Sequence, residues 1–549
     1  MSAMASSDRA ATENKPAPPT PRASGRPFEA PDAPSDLLEA VRRARRRFGA
    51  TKPIVEDHER AAVSYDQLLD AAYALGAQIG RLTAPGDAVG IMLPTSIGAL
   101  VSFLALHAAG CTPAMLNYTA GENSLRAACT LAGVGLIVTS RRFLKEAKLE
   151  PFADRAIAPC AMVYLEDLRA AISWRDKAAA FFSTRTLIRL EAPTHANDRA
   201  AILFTSGTTG APKATVLSHA NLLANIEQCR RHGEFEPDWV FFNTLPIFHA
   251  FGLTAGTLLP LLIGLKSVLY PSPLHHERIP KLVRDAHAHV LVSTDTFALS
   301  YARAARAGEL SGLKYAVLGG ERVREETRAA YAKCGVAVLE GYGATECSPV
   351  VAFSQPHANR PGAVGRLLPG MEARLERVAG IDEGGRLSLR GPNVMLGYLA
   401  ADGSVSPPPK GWFDTGDLAK FSADGFLTIL GRLRRFARIG AELVSLDAVE
   451  AHARALWPNG RHAALVTRGA RGGEEIVLVT DQPDASAALL RQWLAARGGP
   501  LLEAPKRVLV TVTVPTLAMG KIDYQAAGNI ARARGENESP PQTNAPSGA

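Results

Sequence analysis

No run of this 549-residue sequence supplies the ~20 uninterrupted apolar residues that a membrane-spanning helix requires. The nearest, AFGLTAGTLLPLLIGL at 250–265, is short and broken by three glycines and a proline, which predicts a buried helix instead. Cysteine is scarce. Six are scattered at 111, 129, 160, 229, 334 and 347 with no Cys-x-x-Cys pair, which excludes a disulfide framework and a zinc site and fits a reducing compartment. Aromatic residues reach only 6%, and no DNA- or RNA-binding motif is visible. The net charge of +8 therefore points to an anionic small molecule, an acidic partner protein or a lipid surface, and not to nucleic acid. The first residues lack a hydrophobic signal core, and Asp8, Glu13, Glu29 and Asp32 argue against a transit peptide. The expected location is cytoplasmic, with attachment to a membrane surface left open. No internal repeat is visible.

What is present is a long, ordinary globular composition, 47% hydrophobic, enough for two to four domains. Residues 1–35, rich in proline and alanine, cannot bury enough to order themselves and are expected as a disordered tail, as are 533–549. Order is expected to begin at SDLLEAVRRARRRFG, where Ser35 or Asp36 can cap a helix with Leu37, Leu38, Val41, Ala44 and Phe48 on one face. Its arginines 42, 43, 45, 46 and 47 then read as a solvated face or as a docking site for an acidic partner. Up to about residue 330, strand-like runs (AVGIML, GLIVTS, AMVYL, AAILFT, SVLYP, VLVST, YAVLGG) alternate with helical patterns, the signature of parallel sheets covered by helices. Beyond Gly370, short strands joined by Gly-rich and Asp-Gly turns read as antiparallel hairpins. A last unit mixes strands with the helices SLDAVEAHARAL and ASAALLRQWLAARG.

Chemistry concentrates in FTSGTTGAPKATVLSH, residues 204–219. Glycines admit close backbone approach, and hydroxyls beside a lysine suit phosphate. The spacing is not that of a Walker loop, because Lys213 follows Pro212 and no glycine precedes it directly. Four further small-and-polar stretches follow in order: GYGATE at 341–346, WFDTGD at 412–417, GRLRR at 431–435 and PTLAMGK at 515–521. Each alone reads as a surface turn.

Together, and with GGE (319–321) and GPNVMLGY (391–398), they resemble the ordered motifs of the acyl-activating adenylate-forming superfamily, over residues 36–530. PAMLNYTAG (113–121), YPSPLH (270–275) and GYGATECSPVV (341–351) are similar, more closely, to the synthetase half of bacterial acyl-ACP synthetase/2-acylglycerophosphoethanolamine acyltransferases. No histidine has an aspartate five positions later, so the acyltransferase half, with its H-x-x-x-x-D motif, is expected to be lacking. The resemblance implies an α/β fold: a large N-terminal domain (36–431) of two parallel-sheet subdomains plus a small β-barrel subdomain (about 365–431), a hinge (432–435), and a small mobile α+β C-terminal domain (436–532).

It also implies an ATP-dependent acid–thiol ligase that makes an acyl-adenylate and passes the acyl group to a phosphopantetheine thiol. The acid would be a long-chain fatty acid. Acyl carrier protein is the first expected acceptor, free CoA the alternative, and a non-catalytic nucleotide- or lipid-binding protein a third reading. Thr205, Ser206, Gly207, Thr208, Thr209, Gly210 and Lys213 would cradle the ATP phosphates, Thr345 would meet the α-phosphate, and Glu346 would hold Mg²⁺. Gly320, Glu321, Tyr342 and Gly343 would surround adenine, while Asp417, helped by Arg432, would bind the ribose hydroxyls. Lys521 would reach the reacting oxygens during adenylation, and His249 would gate the acyl site. Two positions depart from the family pattern. Arg434 stands where the hinge is usually Asp or Lys, and Gly440, Ala441 and Glu442 replace a glycine pair beside the thiol tunnel.

Overall fold

All seven apolar runs contain strands, and their alternation with helices builds two large sheets. In the computed structural model, residues 22–29, 34–150, 160–186, 194–206, 212–381, 383–439, 442–469, 473–516 and 522–536 are described. One sheet has eight strands. Ala88–Ile91, Thr112–Met115, Leu136–Thr139, Ala161–Tyr164 and Arg199–Ser206 run parallel, and Pro212–Ser218, Gly397–Leu399 and Val405–Ser406 extend it antiparallel. The other has nine, with a parallel centre of Pro53–Asp57, Lys266–Leu269, Val240–Asn243, Val290–Ser293, Tyr315–Gly319 and Ala337–Gly343. Central strands such as Val290–Ser293 are buried throughout, as expected of sheets covered on both faces.

The hairpin region forms a five-stranded antiparallel sheet from Glu372–Glu376, Gly385–Arg390, Phe413–Phe421 and Leu427–Arg432, with a fifth strand from an unexpected source. Composition predicts a loose tail over 1–35, yet Arg22–Ser24 adds to the edge at Glu372–Glu376. The Gly25 amide donates to the Met371 carbonyl and the Gly370 amide to the Arg26 carbonyl, both at 2.7 Å. An edge strand needs backbone donors and acceptors more than apolar side chains, so composition could not reveal it. After Leu433–Arg435, a single helical turn, a two-stranded and a three-stranded sheet pack with Leu446–Leu456, Ala487–Ala496 and Tyr524–Glu536.

Asp36 caps the helix Leu37–Phe48, accepting from the Glu39 amide at 2.8 Å. Its arginines are not simply a solvated face. Arg42 is buried and donates to the Thr186 carbonyl, Arg45 pairs with Asp66, and Arg43 and Arg46 share Glu39.

The run predicted to be a buried helix is one: a π-helical stretch, Phe251–Leu258, leads into Leu259–Ile263. Wide turns of this kind mark functional sites more often than ordinary helix does. Here the cause is Asn243, at the end of a central strand. Its amide nitrogen donates to the Gly252 carbonyl at 3.1 Å, and its oxygen accepts from the Leu245 amide at 2.9 Å. A Cβ on Gly256 would stand 2.4 Å from that amide. Gly256→Ala should therefore cost about 1–3 kcal/mol in urea unfolding through overpacking. Gly528→Ala, in open space on a helix, should be neutral or stabilising by roughly 0.5–1 kcal/mol. Equal effects at the two positions would refute this account of the π-helix.

Candidate active site

The antiparallel register of Arg199–Ser206 with Pro212–Ser218 sets Thr205 opposite Lys213. On the other side, Gly397–Leu399 pairs with the same strand, with Tyr398 opposite Thr215. Lys213 and Thr215 are two apart and share a face, so Lys213 reaches the Tyr398 ring, its Nζ 4.8 Å from the centroid. The Tyr398 hydroxyl donates to Glu346 Oε1 at 2.6 Å. Burial, and then the adjacent Glu346 charge, push the phenol far above its ordinary range, so it stays a donor at neutral pH. Three motifs remote in sequence thus meet in one lysine–tyrosine–glutamate contact.

Asp417 sits in Phe413–Phe421 just after a turn whose Gly416 takes φ +71°. The Asp417 amide donates to the Thr415 hydroxyl at 3.0 Å, which fixes the direction of the side chain. Its carboxylate accepts from the Tyr342 hydroxyl, and Arg432 Nε lies 3.3 Å from Oδ1. Desolvation raises the carboxyl above its usual value, against the pull of Tyr342 and Arg432. The same burial, with Asp417 beside it, holds the Tyr342 phenol protonated.

A cavity of about 470 Å³ runs inward from these groups. Thr205, Gly320, Tyr342, Gly343 and Thr345 line its polar end. Gly343 cannot be larger, because a Cβ there would lie 2.1 Å from the Pro349 carbonyl oxygen. Gly319 faces the Phe251 ring, which a Cβ would approach to 3.1 Å. His249 also lines the cavity, its ring 4.8 Å from that of Phe248. Along the same strands, away from Gly319 and Gly320, the walls are mainly apolar: Phe241, Val290, Val317, Phe235, Trp239 and Tyr315.

Of the residues singled out from the sequence, Thr205, His249, Gly320, Tyr342, Gly343 and Thr345 therefore share one cavity. Lys213 and Glu346 join them through Tyr398, and Asp417 with Arg432 through Tyr342. Glu321 is turned elsewhere: its carboxylate accepts from the Thr296 amide at 3.0 Å and hydroxyl at 2.7 Å, at the start of the helix Asp295–Ala304. Gly207, Thr208, Thr209, Gly210 and Lys521, with the side chain of Ser206, lie outside the described residues, although Thr516 and Ile522, which flank Lys521, form an antiparallel bridge. Tyr398 was not among the candidates. Its only signal was its place at the end of GPNVMLGY.

Burial raises Asp417, so the folded chain takes up a proton at higher pH than the unfolded chain does. The ionised group thus subtracts stability at pH 7, and the cost is relieved as pH falls through the raised folded value. Asp417→Asn should unfold at higher urea than wild type at pH 7, with the advantage shrinking as pH approaches the carboxylate range. ATP binding, by calorimetry, should weaken about tenfold or more, since hydrogen bonds to charged groups carry ~1.5–3 kcal/mol. A variant that is less stable at pH 7, or that binds ATP as wild type does, would contradict the assignment.

Residues 41–399 match the model of a family described as AMP-binding enzyme. The long-chain-fatty-acid–CoA ligase of Salmonella typhimurium is 30% identical over 368 residues, 62% of this chain and 64% of that protein. The 4-coumarate–CoA ligase-like 3 protein of Oryza sativa subsp. japonica is 29% identical over 414 residues, 69% of each chain. Among solved structures, ATP-bound MatB from Rhodopseudomonas palustris is 25% identical, with a TM-score of 0.74 over 91% of this chain and 99% of its own. With well over half of its length matched, the chain belongs to the AMP-binding enzyme family, the acid–thiol ligases that form acyl-adenylates.

Proposed function

We propose that this chain activates a long-chain fatty acid with ATP and transfers the acyl group to the thiol of CoA. The observation that carries this reading is the cavity. It falls within the ~300–1,000 Å³ typical of small-molecule sites, begins among phosphate- and nucleotide-type residues, and continues between apolar walls to Trp239 and Tyr315. A carboxylate at the polar end and an alkyl tail along the rest fit that division.

In the first step a carboxylate oxygen attacks the α-phosphorus, a P–O bond forms and pyrophosphate leaves. In the second, the thiol sulfur attacks the acyl carbonyl, the proton goes to solvent and AMP departs. Negative charge grows on the phosphate oxygens, so fixed donors do most of the work. Thr205, Thr345 and Lys213 would supply them, and the Tyr398 ring holds Lys213 in place. Asp417 would accept the ribose hydroxyls. Glu346 suits magnesium: Tyr398 holds one oxygen, and Mg²⁺ is usually bound by one or two carboxylates plus phosphates and waters. Bound there, the ion would neutralise the phosphate charge. Lys521 would act on the carboxylate and α-phosphate oxygens.

Carrier protein remains the other acceptor, supported by the closer resemblance at GYGATECSPVV. Most of the basic side chains that would dock it are paired within the chain. Arg42, Arg43, Arg45 and Arg46 are engaged within the chain, and Arg435 is committed to Asp447 and Glu450. The relatives are named for CoA.

The test is thioester formation from radiolabelled palmitate and ATP, with CoA and holo-acyl carrier protein in parallel tubes, and with 4-coumarate replacing palmitate in a third. Palmitoyl-CoA as the sole main product is expected. Product on carrier protein alone would overturn the acceptor, and turnover of coumarate alone would overturn the acid. In the same assay Tyr398→Phe keeps the ring under Lys213 but frees Glu346. Pyrophosphate release should fall about tenfold, from loss of one hydrogen bond to a charge, and should need more Mg²⁺ to reach half-maximum. An unchanged magnesium dependence would remove Tyr398 from the site.

A further inference from the structure

The helix Trp174–Arg185 is built inside out. Its inward positions, Asp176, Ala180, Ser183 and Thr184, are small or polar and buried, at the i, i+4, i+7, i+8 spacing of one face. Its outward positions carry the large apolar rings. Trp174 is 73% exposed, Phe181 47% and Phe182 60%. Beside buried Ala180, polar contacts hold the inward face: Asp176 caps the helix through Ser173, accepts from Gln78 at 2.8 Å and pairs with Arg81. Leu82, next to Arg81 in the chain, adds a fourth exposed apolar side chain, at 54%, near that end. Scattered surface leucines need no explanation, but three aromatic rings on one face of one helix do.

We propose that this face docks the enzyme on an anionic lipid bilayer, in the plane of the interface. The charge around the rings selects that occupant. The helix has one acidic residue, Asp176, and it is turned inward. Outward lie Arg175, whose guanidinium sits 5.5 Å from the Trp174 ring centre, and Lys177, neither with a carboxylate partner among the described residues. Arg185 lies 3.7 Å from the centre of the Phe181 ring while pairing with Asp70 and Asp66. Aromatic rings at headgroup depth with cations beside them are the chemistry of interfacial helices. Arg81, the nearest further cation, is neutralised by Asp176, so Arg175 and Lys177 carry the electrostatic part. The proposal goes beyond the reaction assigned above and is read without turnover, so failure of either leaves the other standing.

The full chain should co-sediment with vesicles of phosphatidylglycerol and phosphatidylcholine, and far less with phosphatidylcholine alone. Replacing Trp174, Phe181 and Phe182 together by serine should lower the partition coefficient about tenfold or more, given ~0.8 kcal/mol per buried methylene-sized group. Arg175→Glu with Lys177→Glu should weaken binding to the charged vesicles and remove the difference between the two lipids. Because these side chains are exposed, the variants should melt within a few degrees of wild type. Should the triple variant nevertheless unfold, brominated lipid gives a second reading. It should quench part of the wild-type tryptophan emission, and that part should vanish in Trp174→Phe. Absence of vesicle binding, binding unchanged by the serine replacements, or quenching unchanged in Trp174→Phe would overturn the proposal. So would a dimer in sedimentation equilibrium that the triple variant dissolves, since the face would then be covered by a second copy.

Discussion

The site depends on one short pairing, in which Gly397 and Tyr398 lie antiparallel to Val216 and Thr215. Without that register the phosphate-type lysine, the metal-type glutamate and the loop carrying Tyr398 have no common position. With it, Tyr398 closes on Glu346 from one side and on Lys213 from the other. Its neighbours reinforce the arrangement. The Met395 amide donates to the Glu346 carbonyl, and the Leu396 amide to the Val216 carbonyl. Asn393, fully buried, donates to the carbonyls of Cys347 and Val350, so the GPNVMLGY segment is tied to the turn Thr345–Cys347 and to the strand Val350–Phe353 that follows it. Sheet hydrogen bonds fix these distances more firmly than a loop alone would.

A second constraint is electrostatic and lies where the chain leaves the five-stranded sheet. Arg435 ends the single turn Leu433–Arg435 and at once enters a closed network: Asp447 at 3.0 Å, Glu450 at 2.6 Å, the Ala464 carbonyl at 2.6 Å, and the Tyr524 ring 3.9 Å from its guanidinium carbon. Desolvation pushes Glu450 up, and the guanidinium and the Ala464 amide pull it back, while the Tyr524 hydroxyl donates to its other oxygen at 3.0 Å. Breaking such a buried pair by removing one partner costs far more than exposing both would, because an uncompensated charge is left behind. Arg435 is therefore committed to the elements that follow it, whereas Arg432 and Arg434 just before it are exposed.

Much of this was legible in the sequence, because hydrophobic runs and turn chemistry respond to local rules. All seven predicted strand runs are strands, Asp36 caps its helix, and the antiparallel style after Gly370 is real. The misses share a cause, which is that tertiary context set them. The strand Thr112–Met115 is a proline-containing four-residue run, too short to register as periodic. Arg22–Ser24 orders through backbone pairing against an edge. Arg42 and Arg45 read as a solvated run because the sequence does not show that Thr186 and Asp66 face them. Tyr398 escaped notice because its role arises from register and not from its own motif. Trp174–Arg185 escaped for the opposite reason: apolar side chains are assumed to point inward, and here the polar cap network at Asp176 turns them out.

The site also shows where stability is given up. Asp417 would be cheaper to bury as an asparagine, since its raised proton affinity records an unfavourable desolvation that Tyr342 and Arg432 only partly offset. Yet a carboxylate can accept from two hydroxyls at once with lone pairs to spare, and an amide oxygen accepts with half that capacity. Tyr342 and Arg432 occupy part of that capacity and leave the rest over. A buried charge kept beside a fold of apolar strands that needs none gives up stability, and the ribose-binding role proposed for Asp417 accounts for that loss.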